Sequence, residues 1–145
     1  MSETFEREKS FGWKVNVVAS HMAKKLEQEL AKHDFPKSFW PTMMCLWEQE
    51  GVTQRELSDK SRIENSTTTR TLDKLEDRGW VERQADPNSR RSYRIYLTEE
   101  GRKLKDTLQP LAHQVNQGAL SHLEQNEQQE LIRLLTKVMV GFANK

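Results

Sequence analysis

One stretch constrains the fold more than any other. Asp86-Pro87-Asn88-Ser89-Arg90-Arg91-Ser92 joins two β-prone runs, Trp80 to Arg83 and Tyr93 to Leu97. In these runs Val81, Ile95 and Leu97 are the inward positions, with Arg94 and Tyr96 on the other face. Asp86-Pro87 suits a turn entry, because an aspartate accepts hydrogen bonds from nearby backbone amides. Between Arg83 and Arg94, four arginines face one aspartate. Such a cationic hairpin must be carried by what surrounds it, and the surrounding pattern is helical.

A first helix is expected from about Ser10 to His33. Phe11, Val15, Val18, Met22, Leu26 and Leu30 recur on one face. Asp34 to Ser38 breaks it. A second helix follows, with Ser38 as its expected N-cap, Pro41 tolerated in its first turn and Gly51 as its expected stop. Thr53-Gln54-Arg55-Glu56 has the form of a capping box opening a short helix to about Lys60 that buries Leu57. Ser61 to Ile63 reads as a turn with Ile63 buried. The next helix runs from Glu64 or Asn65 to Gly79, anchored by Leu72 and Leu75, with Thr68 a further inward position. After the hairpin, Thr98 caps a long helix with a stripe of Leu104, Leu108, Leu111, Val115, Ala119 and Leu123. A last helix covers roughly Asn126 to Phe142.

The helix that precedes the hairpin starts unusually. Asn65-Ser66-Thr67-Thr68-Thr69-Arg70-Thr71 is almost wholly small and polar, where an ordinary exposed helix would favour alanine, glutamate, lysine or glutamine. Short hydroxyl side chains let a helix approach phosphates and thymine methyls, and an arginine can pair with guanine through two bonds. A short capped helix, a turn, this polar helix and a cationic hairpin make the order of a winged helix-turn-helix. The fold class is therefore mainly α with a small β-wing, and the expected partner is double-stranded DNA. Ser66, Thr67 and Arg70 are expected to face bases. Thr53, Gln54, Thr69 and Lys74 are the secondary candidates. Arg90, Arg91 and Arg94 serve the wing, with Arg91 the choice for a narrow minor groove, where the potential is most negative.

The two chain ends carry more apolar surface than a winged lobe of this size can cover. Residues 1–36 and 99–145 are therefore expected to form a helical dimerisation region, and 37–98 the winged lobe. The formal net charge of +1 gives no global basic field, so the local excess around the hairpin carries the electrostatic argument.

These residues resemble the MarR family of bacterial transcriptional regulators. The likeness is strongest in Thr53 to Leu57, in Arg70 to Val81, and in the hairpin through Leu97-Thr98-Glu99-Glu100-Gly101. Details from Thr71 to Gly79, with Trp40 ahead, look closest to the SlyA-like branch. The family commonly has Asp-Arg-Arg at the wing tip. Here Ser89 stands in the aspartate's place before Arg90 and Arg91, and Asp86 is the substitute carboxylate to examine. The resemblance implies a homodimer acting on a pseudo-palindromic operator, as a repressor released by a small aromatic effector. The matching effector region would draw on His21, Trp40, Met43, Met44 and Trp47. A Trp and Met cluster at helical spacing is equally what a core contains.

Other classes find less support. No Gly-rich phosphate loop, nucleophile elbow or paired metal-ligand spacing occurs, so no catalytic residue, metal or cofactor is expected. No apolar run reaches membrane-spanning length and no secretory signal opens the chain, which leaves a soluble cytoplasmic protein as the expectation. Two alternatives stand beside the DNA reading. One is a winged-helix module that binds protein. The other is a redox-sensing regulator acting through Cys45, the single cysteine, which sits mid-helix with no basic neighbour in sequence.

Overall fold

The computed structural model describes residues 4–143, so the outermost few residues of the expected dimerisation region lie outside it. Six α-helices and three strands run in the order α1 (Phe11–Ala31), α2 (Trp40–Glu48), β1 (Val52–Thr53), α3 (Gln54–Ser61), α4 (Asn65–Asp77), β2 (Val81–Asp86), β3 (Ser89–Leu97), α5 (Glu99–Leu120) and α6 (Gln125–Ala143). Short 3-10 turns precede α1 and α2. The chain divides into two compact units, one of Lys24–Ala112 and one built from both chain ends.

The unit of Lys24–Ala112 holds the larger core. Leu30, Met43, Leu46, Leu57, Leu72, Leu75, Ile95 and Leu108 are fully buried in one cluster. Phe35, Phe39 and Trp80 close one side of it, with Phe35 stacked on Trp80 at 5.5 Å. The end of α1 and the start of α5 therefore belong with the winged lobe, through Leu30 and Leu108. This compact unit, Lys24–Ala112, is wider than the span 37–98 expected for the winged lobe.

The sheet is antiparallel, in the order β1-β3-β2. Val81 pairs with Leu97 and Arg83 with Ile95 in one ladder, and Val52 pairs with Ile95 in the other. Both hairpin strands run further toward the tip than their apolar alternation suggested. Their outer residues are small or polar and carry no hydrophobic signal. β1 was not expected at all. Its two residues are strand only because β3 lies beside them.

Four local expectations need correction. Ser38 does not cap α2; it lies inside the 3-10 turn Lys37–Phe39, which runs straight into the helix. The Phe39 and Trp40 amides donate to the Pro36 and Lys37 carbonyls, so no side-chain cap is needed. Gly51 does not end α2, which stops at Glu48 with Gln49 extended. It takes a φ of +77° to turn the chain into β1, and its amide donates to the Ile95 carbonyl at 2.8 Å. Ile63 is only half-buried, in the α3–α4 turn that follows the left-handed Arg62 (φ +59°). Leu123 lies beyond α5, in the turn before α6.

In the unit made of the chain ends, much of the apolar content faces outward. Phe11, Val15 and Val18 on α1 are exposed, as are Leu131, Leu134 and Val138 on α6. Val115 on α5 is buried, while Ala119, expected in the same stripe, is exposed.

Candidate nucleic-acid interface

The interface is built from α3, α4 and the hairpin. Thr53 caps α3 as its sequence predicts. Its hydroxyl accepts from the Glu56 amide at 3.1 Å, and the Glu56 carboxylate accepts from the Thr53 amide at 3.2 Å. Gln54 then ties α3 to α4. Its Nε2 donates to Thr69 Oγ1 at 2.6 Å and to Asn65 Oδ1 at 3.1 Å. Ser58 Oγ donates to the same Asn65 oxygen at 3.2 Å. The Thr69 hydroxyl completes the chain by donating to the Asn65 carbonyl at 3.0 Å.

This network sorts the polar turns of α4. Asn65 and Thr69 are spent on α3. Thr68 and Thr71 are buried, and Thr68 Oγ1 donates back to the Glu64 carbonyl at 3.2 Å. Ser66, Thr67 and Arg70 remain on the outward face, with Lys74 exposed one turn beyond Arg70. Arg70 Nη2 donates to Thr67 Oγ1 at 3.4 Å, which is loose enough for another partner to replace. The structure thus brings together the three residues expected to face bases. The Thr53, Gln54 and Thr69 side chains are engaged within the lobe.

The hairpin arginines divide in the same way. Arg83 Nη2 donates to Asp73 Oδ1 at 2.7 Å and to the Thr69 carbonyl at 3.3 Å, and its Nη1 donates to Glu76 Oε1 at 3.2 Å. Arg94 is held by Asp86 and by the Gly51 carbonyl, so it braces the wing from inside. Arg90 and Arg91 are exposed at the tip and form no ion pair among the described residues. The Asp86 carboxylate accepts from the Asn88 amide at 3.0 Å, which closes the Pro87-Asn88 turn. Ser89 Oγ accepts from the Arg91 amide at 3.3 Å, so the serine shapes the tip backbone.

A cleft of about 320 Å³ lies between the start of α3 and the wing, lined by Thr53, Gln54, Arg55, Asn65, Arg91, Ser92 and Tyr93. Arg55 and Tyr93 are exposed there and were not singled out from the sequence. Arg55 falls inside the capping box, where the reciprocal hydrogen bonds drew attention to its neighbours. Its exposed position in the first turn of α3 was the available signal.

Of the five residues of the expected effector region, Trp40, Met43, Met44 and Trp47 belong to the Lys24–Ala112 unit and His21 to the unit of the chain ends. Trp40, Met43 and Trp47 are buried in the core of the Lys24–Ala112 unit. The two tryptophan rings meet edge to face at 5.6 Å, and Trp47 Nε1 donates to the Gly101 carbonyl at 2.9 Å. Met44, on the opposite side of α2, is exposed. His21 is exposed and belongs to the unit of the chain ends. Cys45 is partly buried, and burial together with the Glu48 carboxylate pushes its thiol pKa up, against a smaller lowering by Lys60. A raised pKa disfavours the reactive thiolate. Among the described residues, no helix is long and apolar enough to cross a membrane, and no group of histidine, cysteine or carboxylate side chains is placed to hold a metal.

A three-stranded wing packed against α3 and α4, with an outward polar face on α4 and unpaired arginines at the hairpin tip, defines a winged helix-turn-helix protein of the DNA-binding class. The chain matches the MarR family model over residues 38–93. Over 123 residues it is 28% identical to the HTH-type transcriptional regulator SarZ of Staphylococcus haemolyticus, covering 85% of this chain and 82% of that one. A crystal structure of a MarR transcriptional regulator from Methanosarcina mazei superposes with a TM-score of 0.86 at 27% identity, over 92% of this chain and 96% of that one. A cysteine-to-serine mutant of MarR from E. coli, complexed with operator DNA, superposes with a TM-score of 0.84 at 25% identity, over 94% and 99%. The relatives are transcriptional regulators, not enzymes.

Proposed function

We propose that this protein is a homodimeric repressor that reads a pseudo-palindromic duplex operator with α4 in the major groove and the hairpin tip against the minor groove. The observation that carries the reading is the sorting of side chains. Around Ser66, Thr67 and Arg70 the neighbouring polar groups are spent inside the lobe, while Arg90 and Arg91 stay unpaired at the tip. A protein with no polyanionic partner would have little use for such a surface. The exposed apolar residues of the chain-end unit, Val15 and Val18 on α1 with Leu134 and Val138 on α6, support a second copy as the partner that covers them. The likeness to an operator-bound MarR supports the operator. Release by a small aromatic molecule belongs to the same proposal and is carried by the family resemblance.

The test is selection from a random duplex pool with the parent, Arg70→Ala and Arg91→Ala side by side. The parent should recover an inverted repeat with half-sites about one helical turn apart. Arg70→Ala should relax the preference at one base position, weakening the best site by about 5- to 150-fold. Arg91→Ala should weaken all sites and flatten the salt dependence by about 0.9 per lost phosphate contact. No consensus, with equal weak binding by all three, would sink the operator reading in favour of a protein-binding module. Sedimentation equilibrium checks the dimer. Displacement of the bound duplex by a panel of phenolic compounds checks the effector.

A further inference from the structure

We propose that Arg83 is a positioning residue that locks the wing to the recognition helix α4, so that both meet the duplex as one body. The inference rests on the reading of α4 and the wing as the DNA-binding surface. Arg83 is fixed in the hairpin by its pairing with Ile95 on β3. From there its guanidinium reaches three groups along one face of α4: the Thr69 carbonyl, Asp73 and Glu76. Glu76 closes the loop by accepting from the Arg83 backbone amide at 3.3 Å. Thr69 is itself held by Gln54, so a continuous polar chain runs from β2 through α4 to α3.

The geometry suits positioning better than stability. Isolated exposed ion pairs contribute little to folding. This arginine side chain is only 18% exposed, while its partners Asp73 and Glu76 are 60% and 45% exposed. Only a planar fork can serve two carboxylates one helical turn apart and a carbonyl at once; a lysine ammonium would reach fewer of them. The contacts also offset one of the two carboxylate charges on a helix offered to a polyanion. With the fork in place, a wing docked by Arg91 is held near its groove whenever α4 is bound, and its local concentration at that groove is high.

A double-mutant cycle tests this. Binding to a duplex carrying the consensus recovered by selection is measured for the parent, Arg91→Ala, Arg83→Gln and the double variant, with melting temperatures alongside. In the parent background, Arg91→Ala should weaken binding by about 10-fold or more; in the Arg83→Gln background the same change should cost about 3-fold or less. Arg83→Lys should give an intermediate coupling. Asp73→Asn combined with Glu76→Gln changes only exposed side chains and should reproduce the uncoupling if Arg83→Gln folds poorly. An equal Arg91 penalty in every background would overturn the proposal even if melting temperatures fall, since that would leave Arg83 a merely structural role. No Arg91 penalty in the parent would instead show that the wing reading itself is wrong.

Discussion

Arg94 Nε donates to Asp86 Oδ1 at 3.3 Å, and its Nη1 donates to the Gly51 carbonyl at 2.7 Å. One guanidinium therefore pins the outer part of the wing to the loop that leads into β1. The Asp86 carboxylate is held below the ordinary carboxylate range, first by the Asn88 amide and then by Arg94. It orients Arg94, not the tip arginines. Arg94→Ala should speed amide hydrogen exchange in Gly51–Thr53 and in the hairpin, while α4 amides keep their protection. Unchanged exchange at Gly51–Thr53 would show that the brace is idle.

Gly101, in the first turn of α5, has no room for a side chain. A Cβ there would collide with the Trp80 carbonyl and sit 3.3 Å from a Leu97 methyl. Its own carbonyl accepts from Trp47. Gly101→Ala should cost about 3 kcal/mol or more, because backbone stands in the way and cannot swing aside. Urea unfolding of the variant, compared with Gly118→Ala on open helix surface, gives the answer.

Glu50 supplies a pH dependence. Its Oε1 accepts from the Leu97 amide at 2.8 Å and from Arg102 Nη2 at 2.9 Å, and its Oε2 accepts from Arg102 Nε at 2.9 Å. The Arg102 hydrogen bonds are the main cause of a lowered carboxylate pKa. A depressed folded-state pKa contributes stability above the unfolded value, near 4.3 for glutamate, and that stability is lost as pH falls through the folded value. Glu50→Gln should therefore lose about 1 kcal/mol at pH 7, discounted for the solvent reaching Arg102. The gap between parent and variant should narrow in thermal melts as pH falls below the unfolded value of about 4.3. A gap that persists there would assign the loss to packing.

Cys45 should be slow to react. With its thiol pKa raised by burial and by Glu48, alkylation by iodoacetamide at pH 8 should run at least about 10-fold slower in the native protein than in urea. Fast native alkylation, accompanied by loss of DNA binding, would revive the redox-sensing alternative.

Local chemistry was the most legible part of this chain. The Thr53–Glu56 box lies within four residues and needs no distant partner. The periodic positions Leu72, Leu75, Ile95 and Leu97 are buried as their spacing implies. What depends on a distant partner was not legible. β1 exists because Val52 meets Ile95. The four hairpin arginines look alike in sequence, yet Asp73, Glu76 and Asp86 claim two of them and leave two unpaired. Trp40, Met43 and Trp47 had the composition of either a core or a pocket, and only their burial in the folded cluster places them in the core. Ser38 failed as a cap because a 3-10 turn, whose carbonyls do the same work, has no sequence mark as plain as a serine.

The division of labour among the hairpin arginines has a consequence for how such a protein can change its target. Arg83 and Arg94 anchor the strands from within, while residues 87–92 extend past the last core position. The tip can therefore accept new residues without disturbing the hydrophobic interior. Grafting tips of different length and charge onto the same two anchors offers a route to regulators with altered groove preference and unaltered folding, and a lineage drifting between operators would find the same path open.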